Sequence, residues 1–177
     1  MAPLILIQGS LNPESKTALV LREAAEALAR RGREHDWLDL RDLTMEFCDG
    51  RALKEYHPDL QEAYRRIEKA SGLIFGMPVY CFSVSGPLKN FIDITAVAME
   101  NKVAGIICNA GGKASYMALG DLARILAFES RVLTVQPAVY TCYEDFEDNR
   151  LANDTIRQRV DSLVEALLRH IEPADDS

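Results

Sequence analysis

Gly9-Ser10-Leu11-Asn12-Pro13-Glu14-Ser15-Lys16-Thr17 follows an apolar run, residues 3–7, and precedes an amphipathic run, residues 18–31. A buried strand, a loop of small polar residues and then a helix make an anion site. The first turn of a helix leaves backbone N–H groups unpaired, and its dipole adds partial positive charge there. Ser10, Ser15 and Thr17 add hydroxyl donors, and the N–H groups of residues 11–16 are expected to help. The segment reads as a phosphate-binding loop.

Working outward, strand and helix signals alternate. Residues 4–8, apolar up to Ile7, read as a strand covered on both faces. Residues 18–31 carry Leu21, Ala24, Ala25 and Leu28 at helical spacing, with Gly32 as the stop. Residues 34–40 read as a less buried strand and 41–57 as irregular. A charged helix spans 60–70, with Leu60, Ala63, Tyr64 and Ile67 on one side. A third strand, 72–77, is expected to stop at Pro78. Gly86-Pro87 opens a helix to about residue 98, residues 103–108 form a fourth strand, 116–128 a helix and 131–135 the fifth strand. An apolar stripe from Ile156 through Val160, Leu163, Leu167 and Ile171 marks a final helix capped by Asn153.

Five strands alternating with five helices predict a three-layer α/β/α domain on a five-stranded parallel sheet. A phosphate loop after the first strand fits the flavodoxin-like strand order 2-1-3-4-5. Ligands of such sheets sit beyond the carboxyl ends of the strands. The loops expected there, 9–17, 77–86 and 109–115, are rich in Gly, Ser, Pro and Asn. One domain is expected over 1–172, with 173–177 as a short polar, frayed tail.

Composition sets further bounds. The chain has 177 residues, 48% of them hydrophobic, enough for a single core. No run reaches the roughly 18–20 apolar residues of a membrane span, and no signal peptide is visible, so a cytoplasmic protein is expected. A net charge of −7 argues against nucleic-acid binding, and any phosphate must be held locally against that field. Cys48, Cys81, Cys108 and Cys142 are scattered without a Cys-x-x-Cys pair, and His35, His57 and His170 lack ligand spacing. Neither a metal nor a disulfide is expected.

Four phosphate sites compete for the first loop. A nucleoside triphosphate loop needs glycine where Ser10 and Ser15 stand. A dinucleotide fingerprint needs three glycines, and only Gly9 is present, although Asp39 lies near the distance used for ribose recognition. A phospho-acceptor receiver needs carboxylates where the chain has Gln8-Gly9-Ser10 and Met77-Pro78-Val79. A flavin mononucleotide fits: hydroxyls and N–H groups can encircle its compact dianion, and two more loops can cradle its flat ring. The plain alternative is a set of ordinary helix caps and turns.

Gly9-Ser10-x-x-x-x-Ser15-x-Thr17 resembles the phosphate loop of the NAD(P)H-dependent FMN reductases, a flavodoxin-like family. Met77-Pro78-Val79-Tyr80-x-x-Ser83-x-Ser85-Gly86-x-Leu88-Lys89-Asn90-Phe91-Ile92-Asp93 resembles that family's second flavin loop and following helix, and Asn109-Ala110-Gly111-Gly112 its third loop. The resemblance covers residues 4 to about 134. Position 12, often arginine, is Asn12 here, which leaves Lys16 as the nearest positive charge. The iron–sulfur branch carries clustered cysteines after the second strand, where this chain has only Cys48, so no cluster is expected.

The resemblance implies bound FMN, with NADH or NADPH as cosubstrate and a quinone, azo compound, metal oxyanion or free flavin as second acceptor. The flavin carries the chemistry, so no catalytic side chain is expected. Ser10, Asn12, Ser15, Lys16 and Thr17 are placed at the phosphate. Pro78, Val79, Tyr80 and Ser83 are placed along the ring, and Gly111 and Gly112, with positive φ, where the backbone approaches it. The implied partners are small molecules, with no nucleic acid or membrane. The implied assembly is a homodimer or homotetramer, with the apolar helix beginning at Leu88 as an interface. A flavodoxin-type electron carrier without NAD(P)H activity and a cofactor-free scaffold stand as alternatives.

Overall fold

The apolar run at the start of the chain becomes β1 (Leu4–Gln8), buried along its whole length, in a computed structural model that describes residues 2–171. The expected tail at 173–177 lies outside the described residues. After β1 come α1 (Lys16–Arg30), β2 (His35–Asp39) and α2 (Pro58–Lys69). Then follow β3 (Gly72–Tyr80), β4 (Ser83–Val84), α3 (Gly86–Thr95) and β5 (Val103–Ala110). The chain continues through α4 (Ala118–Ser130), β6 (Leu133–Thr134), β7 (Val139–Cys142), β8 (Phe146–Glu147), β9 (Arg150–Leu151) and α5 (Asp154–Ile171).

The main sheet runs β2-β1-β3-β5-β6, which is the expected 2-1-3-4-5 order. Among the described residues it has seven strands rather than five, because β4 pairs with β3 and β7 with β5. Leu4 lies opposite both His35 and Gly72, and Ile74 opposite Gly105, all in parallel register. Alternation along β1 assigns the two faces. Ile5 and Ile7 join Leu60, Phe75, Phe91 and Leu122 under α2, α3 and α4. Leu4 and Leu6 join Leu21, Leu28, Ile74 and Leu163 under α1 and α5. Asn153 caps α5 as expected, its Oδ1 accepting from the Thr155 N–H at 3.0 Å.

Several expectations are corrected. Pro78 does not end β3, which runs on to Tyr80 with Pro78 opposite Asn109. The Gly9 N–H donates to the Gly76 carbonyl at 2.8 Å, so Gly76 faces β1, and so does Pro78 two residues later. By then β1 has ended, and the missing N–H of Pro78 costs no ladder bond. The fifth strand shrinks to Leu133–Thr134. After a cis Gln136–Pro137 peptide the chain returns as β7, pairing Ile107 with Val139 through Ala110 with Cys142. Leu88, Phe91 and Ile92 are buried in the protein's own core, so the apolar side of α3 is not the free surface expected for self-association. The irregular stretch 41–57 holds two short 3₁₀ turns. It is tied to α3 by Asn90, whose amide donates to the Glu46 carbonyl at 2.8 Å and accepts from the Cys48 N–H at 2.9 Å.

Asp161 joins α5 to α1, accepting from Arg31 at 2.8 and 2.7 Å and from Arg30 at 3.2 Å. The hydrogen bonds from Arg31 hold its carboxyl below the usual carboxylate range, against the effect of burial. A depressed folded-state pKa stabilises the fold fully above the unfolded value of about 3.9, and that contribution disappears as pH falls through the lower folded value. The urea midpoint of the parent should therefore drop below about pH 4. In Asp161→Asn the acid drop should be shallower. Superimposable pH profiles would remove Asp161 from the explanation.

Candidate functional site

The first loop is shaped by its own short polar side chains. Gln8, fully buried at the end of β1, clamps Ser10: its Oε1 accepts from the Ser10 N–H at 2.8 Å and its Nε2 donates to the Ser10 carbonyl at 2.7 Å. Ser10 Oγ accepts from Asn12 N–H at 3.3 Å, Asn12 Oδ1 from Glu14 N–H at 2.9 Å, and Ser15 Oγ from Ala18 N–H at 3.1 Å. Such local side-chain bonds replace ladder partners in a turn. They also narrow the set of free donors. The amides of residues 12 and 14 are spent inside the loop, while the N–H groups of Leu11, Ser15, Lys16 and Thr17 have no partner among the described residues.

Ser10, Ser15 and Thr17 are buried. None of their hydroxyl hydrogens meets an acceptor among the described residues. The Thr17 methyl lies against Gly76, where an added Cβ would come within 3.2 Å of it. Three hydroxyl donors thus stand beside the positive end of α1, which suits an anion. Gly9 is required by close approach: a Cβ there would sit 2.8 Å from the Gly76 carbonyl oxygen and 3.1 Å from Leu88. Gly9→Ala should lower stability by about 1–3 kcal/mol through overpacking, read as a lower urea midpoint. An unchanged midpoint would show that the loop moves aside at no cost.

The remaining loop residues divide. Asn12 is exposed, with its carboxamide oxygen engaged by Glu14. Lys16 turns to the β8–β9 hairpin, where its Nζ donates to Asn149 Oδ1 at 2.7 Å and stands 5.3 Å from the centroid of the Phe146 ring. The cation that does touch the loop is Arg41, which the sequence reading missed. Its Nη1 reaches the carbonyls of Pro13 and Asn12 at 3.3 and 3.4 Å, and its Nε and Nη2 hold Asp39 at 2.9 and 2.5 Å. Burial alone would raise the Asp39 carboxyl, but hydrogen bonds from Arg41 and Trp37 keep it below the ordinary range. The only hint in the sequence was Asp39-Leu40-Arg41 at the end of a strand.

The second and third loops leave the same sheet edge. Pro78 and Val79 are buried, and Tyr80 is exposed at the start of a tight β3–β4 hairpin. Cys81 and Phe82 make that turn with φ of 49° and 62°. Ser83 Oγ donates to Asp121 Oδ2 at 2.7 Å, so its hydroxyl is committed to α4. Ser85 Oγ donates to the Gly9 carbonyl at 3.4 Å and links the first two loops. In the third loop the expected positive φ is absent: Gly112 is extended at −156°, and Gly111 is not left-handed either. A Cβ added to either glycine meets nothing within 4 Å, so any need for glycine there comes from outside the chain's own packing. Tyr140 and Thr141 of β7 fasten this loop from the side. Among the described residues, no three His, Cys, Asp or Glu side chains are grouped as metal ligands.

The NADPH-dependent FMN reductase family profile matches residues 3–146. An NAD(P)H-dependent FAD/FMN reductase of Geobacillus thermodenitrificans is 33% identical over 129 residues, 72% of this chain and 70% of that protein. An iron–sulfur flavoprotein of Methanocaldococcus jannaschii is 34% identical over 112 residues, 57% of this chain and 58% of that one. The apo form of the NADH:FMN oxidoreductase EmoB superimposes with a TM-score of 0.80 at 24% identity, covering 99% of this chain and 92% of that chain, a likeness of fold.

Proposed function

Since the chain belongs to the NADPH-dependent FMN reductase family, we propose that its first loop grips the phosphate of FMN and that the second and third loops flank the ring. The protein is an FMN-dependent oxidoreductase with NAD(P)H as cosubstrate. What supports the site assignment is one observation: three buried hydroxyls and four backbone N–H groups of a single loop, at a helix start, lack acceptors among the described residues. That donor set matches a compact dianion and needs neither magnesium nor a buried arginine.

When bound, FMN supplies a ring that accepts a hydride and passes electrons on. The chain's part is binding and orientation. Ser10, Ser15 and Thr17 donate to the phosphate, together with the amides of residues 11 and 15–17. Arg41 holds the carbonyls of Asn12 and Pro13 and so fixes the middle of the loop, between the free amides of residue 11 and of residues 15–17. Pro78, Val79 and Tyr80 line one edge of the ring. Gly111 and Gly112 offer bare backbone to it, with no side chain to interpose. Residues 1–172 act as one unit in this reading.

The second acceptor is a quinone, azo compound, metal oxyanion or free flavin. Exposed Tyr80 and Phe82 on the hairpin, with Tyr116 and Met117 at the start of α4, give the rim of the site an apolar character suited to flat acceptors. Self-association as a homodimer or homotetramer is part of the proposal. It places the interface at Phe128, which is 87% exposed on α4 beside Lys89, Asp93, Arg124 and Glu129. No helix among the described residues is long and apolar enough to cross a membrane, and action in the cytoplasm belongs to the proposal.

Anaerobic mixing of the FMN-loaded protein with NADH and with NADPH tests the reading. Bleaching of the flavin by either nucleotide supports a reductase. Stoichiometric FMN that neither nucleotide bleaches would instead identify a one-electron carrier.

A further inference from the structure

β7 contributes nothing to the loops that hold FMN in the reading above, yet two of its hydroxyls fix the third of them. Tyr140 Oη donates to the Gly112 carbonyl and accepts from the Ser115 N–H at 3.2 Å. Thr141 Oγ1 donates to the Cys108 carbonyl at 3.1 Å and accepts from Asn109 Nδ2 at 2.9 Å. The loop is therefore fastened on both sides of Gly111. Between these fastenings the N–H groups of Gly111, Gly112 and Lys113 have no partner among the described residues. Amide donors held in place stabilise developing negative charge without reorganising, and their effect is lost when they are free to turn away.

We propose that Tyr140 is a positioning residue that raises the reduction potential of bound flavin by holding the Gly111–Lys113 amides toward it. The proposal rests on the FMN reading. Its hydroxyl is directed at Gly112 and Ser115, so it acts through the backbone rather than by touching the cofactor. Removing the hydroxyl takes from the Gly112 carbonyl and the Ser115 amide the partner that ties their short 3₁₀ turn to β7, and lets that turn sample other conformations. The neutral oxidised ring loses little by this. The two-electron reduced ring, which carries negative charge, loses more.

The test is the midpoint potential of FMN-loaded Tyr140→Phe against a reference dye, with the FMN dissociation constant and thermal midpoint measured alongside. Ser130→Ala serves as the control, since it removes a buried hydrogen bond of 2.8 Å to the Ala96 carbonyl, away from the three loops. Tyr140→Phe should weaken binding of the reduced form about tenfold more than that of the oxidised form, equivalent to about 30 mV for a two-electron couple. Ser130→Ala should lose stability with no change in potential. A Tyr140→Phe protein that binds FMN stoichiometrically at the parent's potential overturns the proposal. A parent protein that takes up no FMN overturns the reading beneath it, and that result appears before any variant is made.

Discussion

A Ser15→Asp variant is expected to purify folded and colourless. Aspartate caps a helix as well as serine does, and a carboxylate is favoured at a helix N-terminus, so the bond to the Ala18 N–H and the start of α1 survive. The new charge, however, stands where the phosphate must sit. A like charge at about 4 Å and an effective dielectric near 20 costs about 4 kcal/mol, or roughly a thousandfold in affinity. The readouts are the FMN-to-protein ratio after gel filtration and the dissociation constant from quenching of flavin fluorescence. A Ser15→Asp protein as yellow as the parent would mean that the loop holds no phosphate.

Phe91→Ala separates the fold from the site. Phe91 is fully buried on α3, in the cluster that includes Leu60, Phe75 and Leu122. Truncating a buried phenylalanine costs about 3–5 kcal/mol, a large share of the 5–15 kcal/mol typical of a whole domain. The urea midpoint should fall steeply with little change in slope. Phe91 lies outside the three loops, so the variant should still bind FMN in the cold. A midpoint close to the parent's would contradict the placement of α3 against the sheet.

The contrast between these variants shows what a sequence carries. Continuous apolar runs such as Leu4 to Ile7 revealed strands buried on both faces, and the small polar loop after the first of them set the strand order. These are local signals. What escaped notice depends on neighbours far along the chain. β7 is a four-residue strand just after Pro137, and it is a strand only because the upper half of β5 is free to pair with it. Pro78 continues β3 because β1 has already turned away. Lys16 looked like a phosphate ligand, but its partner Asn149 is 133 positions away. Arg41 was overlooked because its contact with the first loop runs from the end of β2, 28 and 29 residues on. The backbone angle of Gly112 cannot be read from its identity, and glycine there proved extended.

A crystal structure of the protein soaked with FMN would decide the matter at the level of atoms. Phosphate oxygens should lie about 2.5–3.0 Å from the hydroxyls of Ser10, Ser15 and Thr17, with the ring bounded by Pro78 to Tyr80 on one side and by Gly111 and Gly112 on another. Density showing only water among those hydroxyls, or FMN seated elsewhere on the molecule, would contradict it.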